Sequence, residues 1–120
     1  MTYQKEIGNK GEKIAVDYLI DKGYLLLDRN YHTRYGELDL VMFENEMIVF
    51  VEVKTRTSAS FGTPEEGITP SKLDHLQNAG LLWLQAHPES PDDWRIDAVS
   101  ILLQKNGKIR DIRHFENINL

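Results

Sequence analysis

The 120-residue sequence contains no cysteine. This removes disulfides, thiolate catalysis and thiolate zinc sites together, so any metal must be held by carboxylates or histidines. It also lacks an apolar run long enough to cross a bilayer, and Met1-Thr2-Tyr3-Gln4-Lys5 lacks the apolar stretch of a signal peptide. A soluble, cytoplasmic protein without membrane contact is expected. Positive charge is in short supply: 14 Lys and Arg face 19 Asp and Glu, a formal net charge of -5. Taken alone, that balance argues against a partner as acidic as DNA or RNA. The four histidines are scattered, and none makes a metal-ligand spacing. There is no internal repeat and no low-complexity segment, and the length suits one domain over residues 1–120.

What is present is strong local patterning. From Glu6 to Lys22, Ile7, Gly11, Ile14, Ala15, Tyr18 and Leu19 recur at helical spacing, with Gly23 as a stop. A short strand is predicted from Tyr24 through Leu27 toward Tyr31, ending in the polar, turn-prone stretch Arg29 to Tyr35. Leu38–Phe43 and Met47–Val53 flank Glu44-Asn45-Glu46 and read as a hairpin. Ser58 to Pro70, with its glycines and prolines, reads as a loop. A second helix is predicted with Ser71 as N-cap and Asp74 as its reciprocal partner, burying Leu73, Leu76, Gly80, Trp83 and Leu84 and ending at His87-Pro88. Trp94–Leu103 and Ile109–Phe115 follow as strands around an Asn106-Gly107 turn. Strands enclosed between two helices imply an α/β fold: a three-layer α/β/α arrangement, with a central mixed sheet and a helix on each face.

The hairpin carries the chemistry. A two-residue turn at Asn45-Glu46 sets Asp39 opposite Glu52, Glu37 opposite Lys54, Val41 opposite Phe50 and Phe43 opposite Ile48, all on one face. Leu38, Leu40, Met42, Val49, Val51 and Val53 form the other face, so the hairpin is expected to be central in the sheet. Three partly buried carboxylates repel one another and lose hydration unless a cation or protons compensate. Oxygen ligands alone favour Mg²⁺ or Mn²⁺, which lowers the pKa of a bound water and neutralises a phosphoryl oxygen. Lys54, on the same face, would position that water or stabilise the transition state, giving a site for phosphodiester hydrolysis. The bland alternative is a Glu37–Lys54 cross-strand ion pair beside an incidental Asp39–Glu52 pair.

At these residues the sequence resembles the PD-(D/E)xK nuclease superfamily, with Asp39 followed by Glu52-Val53-Lys54. Across nearly the whole chain it resembles the YraN-like family of bacterial proteins, which is similar to archaeal Holliday junction resolvases. The residues that carry this include Gly8, Gly11-Glu12, Ala15, Asn30, Gly36-Glu37-Leu38-Asp39-Leu40, Phe50-Val51-Glu52-Val53-Lys54, Arg56, Phe61-Gly62, Pro64-Glu65-Glu66, Lys72 and Arg95-Ile96-Asp97. The resemblance implies a restriction-endonuclease-like fold and a Mg²⁺- or Mn²⁺-dependent endonuclease selective for junction or branched DNA. It also implies a two-fold homodimer, for which Ile109–Phe115 is a candidate surface. Asp39, Glu52 and the Val53 carbonyl would ligate the ion, and Lys54 would be the catalytic lysine. Glu12 would join from the first helix, where Gly8 and Gly11 permit close approach to the sheet. Arg29, His32, Arg34, Arg56 and Lys72 flank the site and are either phosphate contacts or ordinary exposed cations. Leu73-Asp74-His75 after Lys72 departs from the more basic start of this helix in the family. A catalytically inactive nucleic-acid- or partner-binding module on the same fold is the competing reading, and an RNA nuclease a third. Arg95 and Asp97, on one side of their strand, read as a buried structural ion pair.

Overall fold

The computed structural model of the chain describes residues 3–57 and 68–118. The elements in order are α1 (Tyr3–Asp21), β1 (Leu25–Thr33), β2 (Gly36–Glu44), β3 (Met47–Arg56), α2 (Pro70–Ala86), β4 (Trp94–Leu103) and β5 (Ile109–Phe115). The loop read at Ser58–Pro70 falls mostly on residues 58–67, outside the described residues, as do Phe61-Gly62 and Pro64-Glu65-Glu66. The strands form one sheet in the order β1-β2-β3-β4-β5. β3 and β4 run parallel and the other neighbours antiparallel, so the sheet is mixed and β2–β3 is interior. Among the described residues, no helix is long and apolar enough to cross a membrane.

The two faces of the sheet are covered by different helices. On one, Ala15, Val16 and Leu19 of α1 pack on Leu40, Met42, Val49, Val51, Val99 and Ile101. On the other, Leu76, Ala79 and Trp83 of α2 pack on Leu38, Val41, Ile48, Phe50 and Ile96. This α/β arrangement is compatible with a restriction-endonuclease-like fold. α1 stops where Gly23 takes φ 97, with Gly23 N–H donating to the Ile20 carbonyl and Tyr24 N–H to that of Leu19, as the stop signal implied. The hairpin turn has Asn45 at φ 52 and Glu46 at φ 63, the pair of left-handed residues that a two-residue turn between twisted strands requires.

Three local expectations are corrected. The N-cap of α2 is Thr69, not Ser71: its hydroxyl accepts the Lys72 N–H at 3.1 Å, and Pro70 occupies the first helical position, where its missing N–H costs nothing. β1 continues through Arg29 to Thr33 because β2 offers it partners as far as Gly36; local polarity yields to the ladder. Of the two glycines expected to admit α1 to the sheet, only Gly11 does so. A Cβ on Gly11 would overlap Thr55 Oγ1 and lie 2.8 Å from Thr55 Cβ, whereas one on Gly8 meets nothing. Gly11→Ala should therefore destabilise the protein by about 1–3 kcal/mol through overpacking. Gly8→Ala should stabilise it by roughly 0.5–1 kcal/mol through helix propensity. Urea denaturation of the two variants checks the opposite signs.

Candidate metal centre and the fork in the sheet

The β2–β3 ladder runs from Glu44–Met47 through Phe43–Ile48 and Val41–Phe50 to Leu40–Val51, the register anticipated from the turn. There it stops. β2 remains paired with β1 down to Gly36, and β3 with β4 out to Arg56, so the two central strands part and open a fork. Asp39 sits at its mouth. Its Oδ2 accepts the Val53 N–H at 2.8 Å, a carboxylate standing where a backbone acceptor would have continued the ladder.

Beside the fork the alternation of side chains slips. Leu40 packs on the α1 side but Leu38, two residues away, packs on the α2 side, contrary to its assignment from strict period two. The neighbouring strand breaks step too. Asn30, at φ 51, falls between Arg29, which approaches Glu12 of α1, and Tyr31, which packs on the α2 side. As a result Glu37 lies with Glu12 and not with Lys54. Glu12, Glu37 and Asp39 each place an oxygen within 4.8 Å of the others. Asn30 Nδ2 donates to Glu12 Oε1 and to Glu37 Oε1, both at 2.8 Å. His32 Nδ1 lies 3.3 Å from Glu37 Oε2, and Arg29 Nη2 3.9 Å from Glu12 Oε1.

Glu52 and Lys54 face the α2 side. Glu52 is 5% exposed, and its Oε1 is 3.2 Å from Lys72 Nζ at the start of α2. Lys54 lines a cavity of about 220 Å³ with Ile68, Leu73, Ser100, Phe115 and Ile118. The fork therefore separates Glu12 and Glu37 on one side from Glu52, Lys54 and Lys72 on the other, with Asp39 between. Arg34 stacks on Tyr35 with its guanidinium carbon 5.0 Å from the ring centre, and Arg56 ends β3.

The electrostatics match this placement. Burial, reinforced by the Glu52 carboxylate and less strongly by Glu12 and Glu37, pushes Asp39 up to about 7, against the Val53 N–H, which favours the anion. Burial also raises Glu52, opposed by the Lys72 ammonium. A buried Asp39 that resists ionisation beside neighbouring carboxylates makes a donor set suited to a hard divalent cation, which would replace the missing proton. Glu12, Glu37 and Asp39, with Glu52 beside them, suit such an ion. Spacing groups Glu37 with Asp39 and Glu52 around a cation, whereas the ligand set implied by the resemblance leaves it out; the structure brings it beside Glu12 and Asp39. Asn30 was given no role, although an asparagine inside a strand is a left-handed turn former out of place.

The model of a family described as "Uncharacterised protein family UPF0102" matches residues 11–101. A UPF0102 protein of Syntrophomonas wolfei is 50% identical over 113 residues, covering 94% of this chain and 96% of the relative. The chain belongs to the UPF0102 family. A UPF0102 protein of Alkaliphilus oremlandii is 44% identical, with coverage of 94% and 97%, and one of Clavibacter michiganensis is 43% identical, with coverage of 90% and 92%. This is the YraN-like family of the sequence resemblance. The UPF0102 match spans Glu12, Asn30, Glu37, Asp39, Glu52, Lys54 and Lys72 and ends within β4.

The UPF0102 chain carries a second charged network, away from the fork. Arg95 Nε donates to Asp97 Oδ1 at 2.9 Å, and Arg95 Nη2 reaches Tyr24 Oη at 2.8 Å and Glu116 Oε1 at 3.0 Å. Lys22 Nζ lies 2.6 Å from His114 Nδ1, so Nε2 is the nitrogen that donates to Asp97 Oδ2, at 2.8 Å. Burial opposes ionisation of Asp97, but hydrogen bonds from His114, Arg95 and the Asn117 N–H outweigh it and hold the carboxyl below its ordinary value. Burial pushes Tyr24 up to about 12. This network ties β4 to β5 and to the end of α1, the structural ion pair that the spacing of Arg95 and Asp97 suggested.

Proposed function

We propose that the protein is a Mg²⁺- or Mn²⁺-dependent endonuclease that hydrolyses phosphodiester bonds in DNA, with selectivity for junctions or other branched forms. The observation that carries this reading is the fork: three carboxylate oxygens within 4.8 Å, one of them on Asp39 at about 7, with two lysines on its far side. Glu12, Glu37 and Asp39 would hold the ion, with Glu52 and the Val53 carbonyl completing its surroundings. A bound divalent ion would supply Lewis acidity at the scissile phosphate and acidify a water. Lys54 stabilises negative charge developing on the phosphate and orients the attacking water. Lys72, whose side chain is 41% exposed, contacts a flanking phosphate. Branched DNA as substrate rests on the resemblance to junction resolvases alone.

The net charge is less of an obstacle than it looked. Glu12, Glu37, Asp39 and Glu52 account for four of the 19 acids, and a bound ion offsets them. Phosphate affinity should still be modest and salt-sensitive. Lys72→Met is expected to weaken DNA binding about uniformly across sequences and to lower the slope of log affinity against log salt by roughly 1. Fluorescence anisotropy at several salt concentrations measures both.

One observation favours the inactive binding module: Glu52 already has Lys72, Glu37 has His32 and Asn30, and Glu12 has Arg29 and Asn30. Calorimetric titration with Mn²⁺ separates the readings. Binding that Asp39→Ala and Glu52→Ala remove supports the nuclease; no binding by the parent protein favours the module. Competition between RNA and branched DNA for cleavage then tests the substrate class.

A further inference from the structure

We infer that Asn30 is the positioning residue of the metal centre: its side-chain amide clamps Glu12 and Glu37 into one ligand set. The inference rests on the metal-dependent reading above and extends it to a residue that approaches no substrate. An amide nitrogen carries two hydrogens, and here each has its own carboxylate, Glu12 Oε1 of α1 and Glu37 Oε1 of β2, both at 2.8 Å. One side chain on β1 thereby ties together two acids 25 positions apart in sequence, on different elements. Without it they would repel. Asn30 engages Oε1 of each acid, which leaves Oε2 of Glu12 and, beside His32 Nδ1 at 3.3 Å, Oε2 of Glu37 to face a cation. Ligating carboxylates are commonly oriented in this way by neighbouring donors.

The backbone explains why asparagine is the residue that fits. At φ 51, position 30 lies in the left-handed region, where asparagine is among the few side chains adopted at low cost. Glycine would satisfy the backbone but offer no donor. Glutamine would offer the donor at a backbone conformation that penalises it. Position 30 is also exposed, so burial does not force the amide onto the acids, and its removal has little packing to disturb.

The test uses Asn30→Gly in the full chain, which keeps the left-handed backbone and deletes only the amide. Mn²⁺ affinity is read from the EPR signal of free Mn²⁺, and metal-free thermal stability from calorimetry. The expected result is a Kd for Mn²⁺ raised about 10–100-fold, with the melting temperature nearly unchanged. In the parent protein, the Asn30 side-chain amide resonances, assigned by their loss in the variant, should shift on addition of Mg²⁺ over the same concentration range as binding. Equal Mn²⁺ affinity in parent and variant, or amide resonances that ignore Mg²⁺ while it binds, overturns the positioning role and leaves the nuclease reading standing. Absence of Mn²⁺ binding in the parent overturns both.

Discussion

Asp39→Asn is expected to reduce divalent-ion-dependent cleavage by at least about 10³-fold, a loss of the size seen when a central catalytic group is removed, while making the metal-free protein more stable at pH 8. Asparagine has the shape of aspartate and keeps an oxygen to accept the Val53 N–H, so the end of the β2–β3 ladder survives. The charge disappears, and with it the cost of burying an anion beside Glu52, Glu12 and Glu37. The sign follows from linkage. The folded-state value of Asp39, about 7, lies above its ordinary 3.8, so between those values the native carboxyl holds a proton that the unfolded chain has released. Its contribution to stability is full below pH 4, declines through that window and is gone above 7. The parent should therefore lose stability from pH 4 to 7 by an amount that the variant does not. At pH 8 the difference should be on the order of 1–3 kcal/mol, or several degrees in Tm. Millimolar Mg²⁺ should reverse the ranking, because it stabilises only the chain that binds it. Calorimetric scans at pH 5 and pH 8, with and without Mg²⁺, report all four conditions. A variant less stable than the parent at pH 8 without metal would contradict this account of the cluster.

Lys54→Met should separate chemistry from metal binding. Lys54 lies across the fork from Glu12 and Glu37, lining the cavity with Leu73, Ser100 and Phe115. Methionine retains the apolar stem in that cavity and removes the ammonium. Cleavage is expected to fall about 10²–10³-fold, as when one preorganised group stabilising transition-state charge is lost. Mn²⁺ affinity should stay within a few-fold of the parent value. Parallel loss of affinity and rate would instead place Lys54 among the groups that assemble the ligand set.

Much of this arrangement was legible in the residues. Alternating apolar side chains and a two-residue turn fixed the β2–β3 register as far as Leu40–Val51. Helical periodicity located α1 and α2, and Glu12 was placed with the acids by resemblance. The fork itself was not legible, because period-two alternation assumes that a ladder continues. Where Asp39 replaces the backbone as acceptor and Asn30 turns left-handed, alternation fails, and Leu38 and Glu37 end on the opposite sides from those expected. The sequence leaves Lys72 as either a phosphate contact or an ordinary exposed cation; in the fold it faces Glu52, a long-range meeting of α2 with β3 that no local pattern encodes.

Whether the fork is a nuclease centre is decided by cleavage of labelled four-way junction, flap, single-stranded and duplex DNA in Mg²⁺ or Mn²⁺ at low salt, with Lys54→Met purified in parallel. The parent should cleave in an ion-dependent way, fastest on branched substrates, and cleavage should be lost in the variant and on chelation. Folded parent protein that binds Mn²⁺ and cuts none of the four would contradict the nuclease reading.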